Sequence, residues 1–250
     1  MSLPILDLSA ARNDACALNN VGVTMMMHGE FDSAVTSLKE SLHIMRMILA
    51  PNASPESVKT FSNKKLRAAS CIVSKMVKDD APRTVSVRAL ESNDFQSLLH
   101  ASFSKSCPSS VFHAILIRNG SSAGDECDQP DLDRTSNLML LNYGLACFLL
   151  SMYGRPNANG RRRSAFSSIG YKTLLMSYTY FSSSQEIGDA QDLEQALYAA
   201  ILLSYISLVL ESSNEQEKSI EAKELQQGLL SAVEKETLIF QNQSVVAAAA

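Results

Sequence analysis

The sequence predicts a mainly α protein with about three helical hairpins in succession. Two observations carry this prediction. Apolar residues recur at helical spacing in three separate parts of the 250-residue chain, and a short polar or glycine-containing break divides each part into two segments. Since 46% of the residues are apolar, a chain of this length can bury a core without metals or disulfides.

The first hairpin is predicted within residues 14–49. Apolar or small residues lie one helical turn apart in its two halves, at Leu18, Val21, Gly22 and Met25 and then at Phe31, Ala34, Val35, Leu38, Leu42 and Met45. Between the halves, Gly29 can take the left-handed conformation that ends a helix. Pro51 ends the second helix, because the residue before a proline avoids the helical conformation.

Residues 50–131 are predicted to form an irregular, loop-rich and partly β insert. Nine Lys or Arg stand against four acidic residues from Lys59 to Lys105, and seven serines lie between Ser102 and Ser122. Ser54 and Pro55 are typical of a helix start, as N-cap and first helical residue. Alternation at residues 84–88 and a β-prone run at 111–117 predict two short strands, whose pairing the sequence leaves open.

Two further hairpins are predicted over residues 132–240. The first has apolar stripes from Leu138 to Met152 and from Phe166 to Phe181, around a polar break at 154–164. The second runs from Leu193 to Leu208 and then through Ile220, Leu225, Leu229 and Val233. Residues 241–250 have no core pattern and are expected to be disordered. The whole is interpreted as one domain.

Charge and cysteine usage exclude several classes of protein. A net charge of −4 does not favour a nucleic-acid partner. The five cysteines are widely spaced without a C-x-x-C pair, which indicates neither a zinc site nor a disulfide framework and favours a reducing, intracellular and cytoplasmic location. The apolar runs at 138–153 and 196–210 are shorter than the ~20 residues that cross a bilayer, so no membrane insertion is expected.

The segment from Leu18 to Ser41 resembles a tetratricopeptide repeat, a helix-turn-helix unit with the pattern W-x₂-L-G-x₂-Y, then A-x₃-F, then P. Arg46 stands where the proline is usual. Its structural repeat positions are occupied here, by Leu18, Val21, Gly22, Met25, Gly29, Phe31, Ala34 and Leu38. Asn142 and Gly144 repeat the offset of Asn20 and Gly22 in the second hairpin. The combination is similar to uncharacterised tetratricopeptide-like proteins of diatoms.

This resemblance implies a right-handed α-solenoid that acts as a protein-interaction scaffold. A peptide or helix of a partner protein would lie in its concave groove. Extension of the repeat geometry gives six groove candidates: Asn19, Asn20, Val23, Thr24, Asn142 and Tyr143. An alternative role for the asparagines is to hold the backbone of their own repeat.

No catalytic motif stands out, and we expect no enzymatic activity, cofactor or metal. The alternative is a ligand-binding or enzymatic α protein with a site in residues 84–131. Its candidate groups are His100, His113, Glu91, Asp94, Asp125, Glu126 and Asp128. Separately, Arg161-Arg162-Arg163-Ser164 has the form used by basic-directed kinases, which makes Ser164 a candidate phosphorylation site.

Overall fold

The computed structural model confirms a mainly α protein. It describes residues 8–50, 55–76, 85–92, 94, 97–99, 111–117, 129–154, 161–182 and 190–249. In chain order the elements are α1 Leu8–Met27, α2 Phe31–Leu49, α3 Pro55–Met76, β1 Ser86–Glu91, β2 Val111–Leu116, α4 Gln129–Tyr153, α5 Arg161–Phe181, α6 Ala190–Ser212 and α7 Gln216–Ala249.

The chain divides into two compact units, where the sequence predicted one domain. The first comprises Met1–Asn93 and Cys107–Thr173, and the second comprises Asp94–Ser106 and Leu174–Ala250. The boundary lies inside α5. The first unit therefore holds α1 to α4, both strands and the beginning of α5, and the second holds the end of α5 with α6 and α7.

Helices α1 and α2 approach closely, as the spacing of small residues predicts. A Cβ atom placed on Gly22 would lie 2.6 Å from Cγ of Leu38 and 3.4 Å from the carbonyl oxygen of Ala34. The absence of a side chain at Gly22 thus lets Leu38, which is fully buried, interlock with α1. Gly29 has a φ of +77° in the turn, as predicted, and Phe31 is buried at the start of α2.

Buried hydroxyl groups tie the two helices together. Ser37 Oγ donates a hydrogen bond to the carbonyl oxygen of Leu18 and Ser41 Oγ to that of Ala15, each at 2.8 Å. Ser41 Oγ also contacts Sδ of Met139 at 3.0 Å, where α4 packs on α2. Serine is small enough for this close packing, and its hydroxyl is satisfied without water.

Helices α4 and α5 also meet at small residues. A Cβ atom on Gly170 would lie 3.0 Å from the carbonyl oxygen of Gly144 and 3.1 Å from the amide nitrogen of Phe148. Helix α5 begins at Arg161, so the polar break predicted over 154–164 is shorter than expected. Arginine is among the better helix formers, so a helix that includes residues 161–163 agrees with their helix propensity.

Helices α6 and α7 form the hairpin of the second unit. Ser219 Oγ donates to the carbonyl oxygen of Ser207 at 3.1 Å, and Ala222 and Val233 are buried on the same face of α7. The predicted apolar stripe of α7 is wrong in part, since Ile220 and Leu225 are more than half exposed. The face of α7 that contacts α6 contains the smaller residues Ser219 and Ala222, because small side chains let the two helices lie closer together.

Two further expectations change. The stripe positions Met152 on α4 and Ile169 on α5 are about 40% exposed, because each lies at the edge of its helix's buried face. Where the sequence predicted a disordered tail at 241–250, α7 continues to Ala249. A run of alanines has the highest helix propensity and extends a helix that is already nucleated.

Helix α3 and the two strands form the insert. Helix α3 packs against α1 and α2, with Val58 and Ala69 buried. The strands pair in parallel, from Ser86 beside Val111 to Glu91 beside Leu116. The second strand lies where the sequence predicts it, and the first begins two residues later than predicted. Ser54 lies outside the described residues.

Helices α4 and α6 are long and apolar enough to cross a membrane by length and composition alone, over Asp131–Tyr153 and Asp192–Ser212. In the most apolar 18-residue stretch of each helix, 72% is buried inside the protein in α4 and 78% in α6. This burial is typical of core helices, which pass the same test. The expectation that the chain does not insert into a membrane stays a prediction.

Candidate strand-binding groove

Strand β2 lies against α1 and α4, and asparagines from both helices hold its main chain. The amide of Asn142 on α4 makes a paired contact with Ile115. Its Nδ2 donates to the carbonyl oxygen at 2.7 Å, and its Oδ1 accepts from the amide nitrogen at 2.8 Å. Asn20 on α1 does the same with Ile117, the residue directly after β2, with both distances 2.9 Å. These two residues form what we call the amide clamp.

Asn19 joins the two halves of the clamp. Its Nδ2 donates to the carbonyl oxygen of Ile115 and to Oδ1 of Asn20, each at 3.2 Å. Its Oδ1 accepts from Nδ2 of Asn142 at 3.0 Å. Asn19 and Asn142 have no exposed surface. The network thus connects α1, α4 and β2 through buried polar groups that satisfy one another.

A carboxamide side chain suits this task because it carries the same donor and acceptor as a peptide bond. Alternate residues of an extended strand direct their main-chain groups to the same edge. The clamp therefore occupies one edge of β2 as a neighbouring strand would. The other edge pairs with β1, and Ser92 N extends this ladder by donating to the carbonyl oxygen of Leu116 at 2.9 Å.

Apolar side chains of the strand also pack in the protein core. Ala114, Ile115 and Ile117 are buried, and so is Phe112. The ring of Phe112 meets that of Phe148 on α4 edge to face, with centroids 6.1 Å apart. Main-chain recognition thus acts together with apolar burial, which supplies most of the favourable free energy of such contacts.

The structure places all six predicted groove residues beside one another on α1 or α4, but not all face the strand. Asn19, Asn20 and Asn142 bind β2. Val23 is fully buried. Thr24 Oγ1 donates to the carbonyl oxygen of Asn20 at 3.0 Å, within its own helix. Whether any of the six contacts a partner stays a prediction.

Tyr143 lies beside Cys147 on α4 and is hydrogen-bonded to it. Burial raises the pKa of the Cys147 thiol to about 11, against the opposing effect of this hydrogen bond. Burial also raises the pKa of Tyr143 to about 12, helped by the charge that Cys147 would carry and by the same hydrogen bond. Both groups are neutral at physiological pH, so the thiol is held in its unreactive form.

Of the residues proposed for an enzymatic site in the insert, His113 and Glu91 lie at different positions along the paired strands, and Asp94 accepts hydrogen bonds from the amide and hydroxyl of Ser97. His113 on β2 is half-buried and stands beside Arg88 of β1, while Glu91 pairs with Leu116. No group of three or more His, Cys, Asp or Glu side chains that could hold a metal occurs in the described ranges. His100, Asp125, Glu126 and Asp128 lie outside them.

The candidate phosphorylation site Ser164 lies exposed in the first turn of α5. The side chains of Arg161 to Arg163 lie outside the described part of the structure. The exposure of Ser164 leaves the prediction of phosphorylation open.

Sequence reasoning missed two features of the site. It did not predict that β2 would lie against these asparagines, although the β-prone run at 111–117 gave a strand signal. It also missed Gly170 as the counterpart of Gly144, because the lengthened turn between α4 and α5 disturbs the repeat spacing. Comparison of the chain with family models, with curated proteins and with solved structures found no match.

Proposed function

We propose that this chain is an intracellular protein-interaction scaffold whose groove binds an extended segment of a partner protein through its main chain. The scaffold would be a tetratricopeptide-like, right-handed α-solenoid. The close contact of α1 with α2 at Gly22 and the contact of α2 with α4 at Ser41 and Met139 support this arrangement.

The amide clamp is the observation that carries the proposal. Asn20 and Asn142 each use a donor and an acceptor on one residue of the strand, and the two residues are two positions apart. A protein recognises an extended peptide in this way when main-chain hydrogen bonds supply affinity and pockets for alternate side chains supply specificity. Proline at either clamped position is excluded, because it has no amide hydrogen.

The burial of Asn19 and Asn142 makes the hydrogen bonds to the strand costly to lose. Buried amides lose their hydrogen bonds to water, and each unsatisfied donor or acceptor costs about 1–3 kcal/mol. Apolar residues at positions 19 and 142 would remove these hydrogen-bond partners from the buried main-chain groups of Ile115. The donors and acceptors of Asn19 and Asn142 thus match an extended main chain, which supports the proposal that the site accepts an extended segment.

A peptide library tests this function. Extended peptides selected on the full-length protein should lose affinity at least tenfold when Asn20→Ala removes one arm of the clamp. Asn20 is suited to this test because it is half-buried, whereas Asn142 is fully buried and its removal costs more stability. Lys64→Ala, at an exposed position of α3, is the matched control and should leave affinity unchanged.

Two results would contradict the proposal. One is a library that yields no binder to a protein that circular dichroism shows to be folded. The other is a set of binders whose affinities are the same for the wild-type chain and Asn20→Ala.

A further inference from the structure

We propose that β2 is an internal competitor for the groove, and that the partner segment is a sequence mimic of β2 that replaces it by strand exchange. This inference rests on the proposed function, because it assumes that the groove also binds segments in trans. It identifies the partner's chemistry from the strand that already occupies the site.

The first step of the argument is that the helices contact one another without β2. Gly22 packs on Leu38, Ser37 and Ser41 bridge α2 to α1, and Met139 joins α4 to α2. The frame of the groove is therefore formed by contacts in which no strand residue takes part.

The second step is that an empty groove is unfavourable. Departure of β2 would leave the side-chain amides of Asn19 and Asn142 buried with fewer hydrogen-bond partners. It would also expose the apolar surfaces on which Phe112 and Ile115 pack, including the ring of Phe148. Exchange with another extended segment keeps the number of hydrogen bonds unchanged. The groove thus favours replacement of its occupant over release.

The third step defines the segment that can replace β2. The clamped residues correspond to Ile115 and Ile117, both buried, so they must be apolar residues other than proline. The position of Ala114 must be small because it is fully buried, and that of Phe112 must be aromatic to meet Phe148. His113 is half-buried, so its position is less restricted. The partner motif is then aromatic, variable, small, apolar, variable, apolar.

The fourth step concerns competition. Eleven residues, 118–128, lie between the clamped residue Ile117 and the start of α4. A short tether holds a strand at an effective concentration on the order of millimolar, so a free peptide meets strong intramolecular competition. Weakening the resident strand should therefore strengthen the binding of the same sequence added in trans.

The experiment uses a labelled peptide with the sequence of residues 109–118 and the full-length chain. Ile115→Pro removes the amide hydrogen that Asn142 accepts, at the edge of β2 that does not pair with β1. We expect the peptide to bind Ile115→Pro roughly tenfold to a hundredfold more tightly than the wild-type chain, which corresponds to one lost hydrogen bond with a buried partner.

Two controls match this design. Ile115→Val keeps the amide hydrogen and most of the side chain, and it should bind the peptide as weakly as the wild type. A peptide N-methylated at the residues that correspond to Ile115 and Ile117 keeps its side chains but loses both donors, and it should not bind Ile115→Pro.

The outcomes separate this inference from the proposed function. If library-selected peptides bind in an Asn20-dependent way while the 109–118 peptide binds neither chain, the groove binds partners and the competitor role of β2 is overturned. If neither kind of peptide binds, both proposals are overturned.

Hydrogen exchange on the wild-type chain covers the case in which Ile115→Pro does not fold. An exchangeable strand opens locally, so the amides of Ile115 and Ile117 should exchange at least tenfold faster than the slowest amides of α4. Exchange of these amides only at the rate of the α4 core would overturn the inference.

Discussion

The contact at Gly22 gives a prediction whose magnitude follows from the structure. In Gly22→Ala the added Cβ would lie 2.6 Å from Cγ of Leu38, which is a branch point rather than the end of a flexible side chain. Overpacking of this kind costs about 1–3 kcal/mol. Alanine gains about 1 kcal/mol over glycine inside a helix. The net expectation is a loss of about 0–2 kcal/mol of unfolding free energy.

Gly228→Ala is the matched control. Gly228 is also inside a helix, α7, and a Cβ atom there has no neighbouring atom within 4 Å. This variant should gain about 1 kcal/mol from the same helix propensity. The difference of about 1–3 kcal/mol between the two variants therefore isolates the overpacking at Gly22.

The assay is a urea titration read by hydrogen exchange and mass spectrometry. Peptides of α1 and α2 report on the first unit and peptides of α7 on the second, so that separate unfolding of the two units does not distort the comparison. In a Leu38→Ala background the Cβ at position 22 gains room, and Gly22→Ala should then stabilise the protein by about 1 kcal/mol. A stabilising effect of Gly22→Ala in the wild-type background would refute the close approach of α1 and α2.

Three other predictions concern the clamp, the buried thiol and the start of α5. Asn142→Ala should lower the unfolding free energy by about 2–4 kcal/mol, more than Asn20→Ala, because it leaves the main-chain N–H and C=O of fully buried Ile115 with fewer partners. Denaturant titration of both variants measures these losses, and equal losses would contradict the prediction. The native protein holds the proton of the Cys147 thiol more tightly than the unfolded chain, where the pKa is 9.0, so the resulting stabilisation is complete below pH 9 and is lost as the pH rises through about 11. The urea midpoint of unfolding should therefore fall less steeply from pH 8 to 11 in Cys147→Ala than in the wild type. At pH 8 a thiol reagent should label exposed Cys71 but not Cys147. Ser164→Asp should stabilise α5 by about 0.3–1 kcal/mol, whereas Ser164→Lys should destabilise it, because the first turn of a helix favours negative charge; thermal unfolding of the two variants checks the sign.

Local patterns were sufficient to predict the helices. Helical spacing of apolar residues located six of them and the start of α3, and the small residues Gly22 and Ala34 predicted where α1 meets α2. These features depend on residues that are close in sequence, where periodicity and steric size leave few alternatives. The exposed positions Ile220 and Leu225 show the limit, because periodicity alone does not show which of two adjacent faces packs.

The site was predicted only in part. The sequence singled out Asn19, Asn20 and Asn142 as groove candidates, but it could not show that they would bind the main chain of Ile115 and Ile117 in the insert. The bonds between Asn19 or Asn20 and β2 join residues 96 or 97 positions apart, and a short strand signal carries no information about a partner at that distance. The parallel pairing of β1 with β2 was unpredictable for the same reason.

The residues that form these long-range hydrogen bonds are translated at different times. Helices α1 and α2 are complete when residue 49 has been made, but the clamp needs Asn142 of α4 as well. At typical elongation rates of 5–20 residues per second, about 5–20 s pass before the ribosome supplies that residue. During this interval α1, which carries Asn19 and Asn20, has been made, but the part of α4 that carries Asn142 has not. Until Ile115 and Ile117 have also been made, the side-chain amides of Asn19 and Asn20 lack their main-chain partners from this strand.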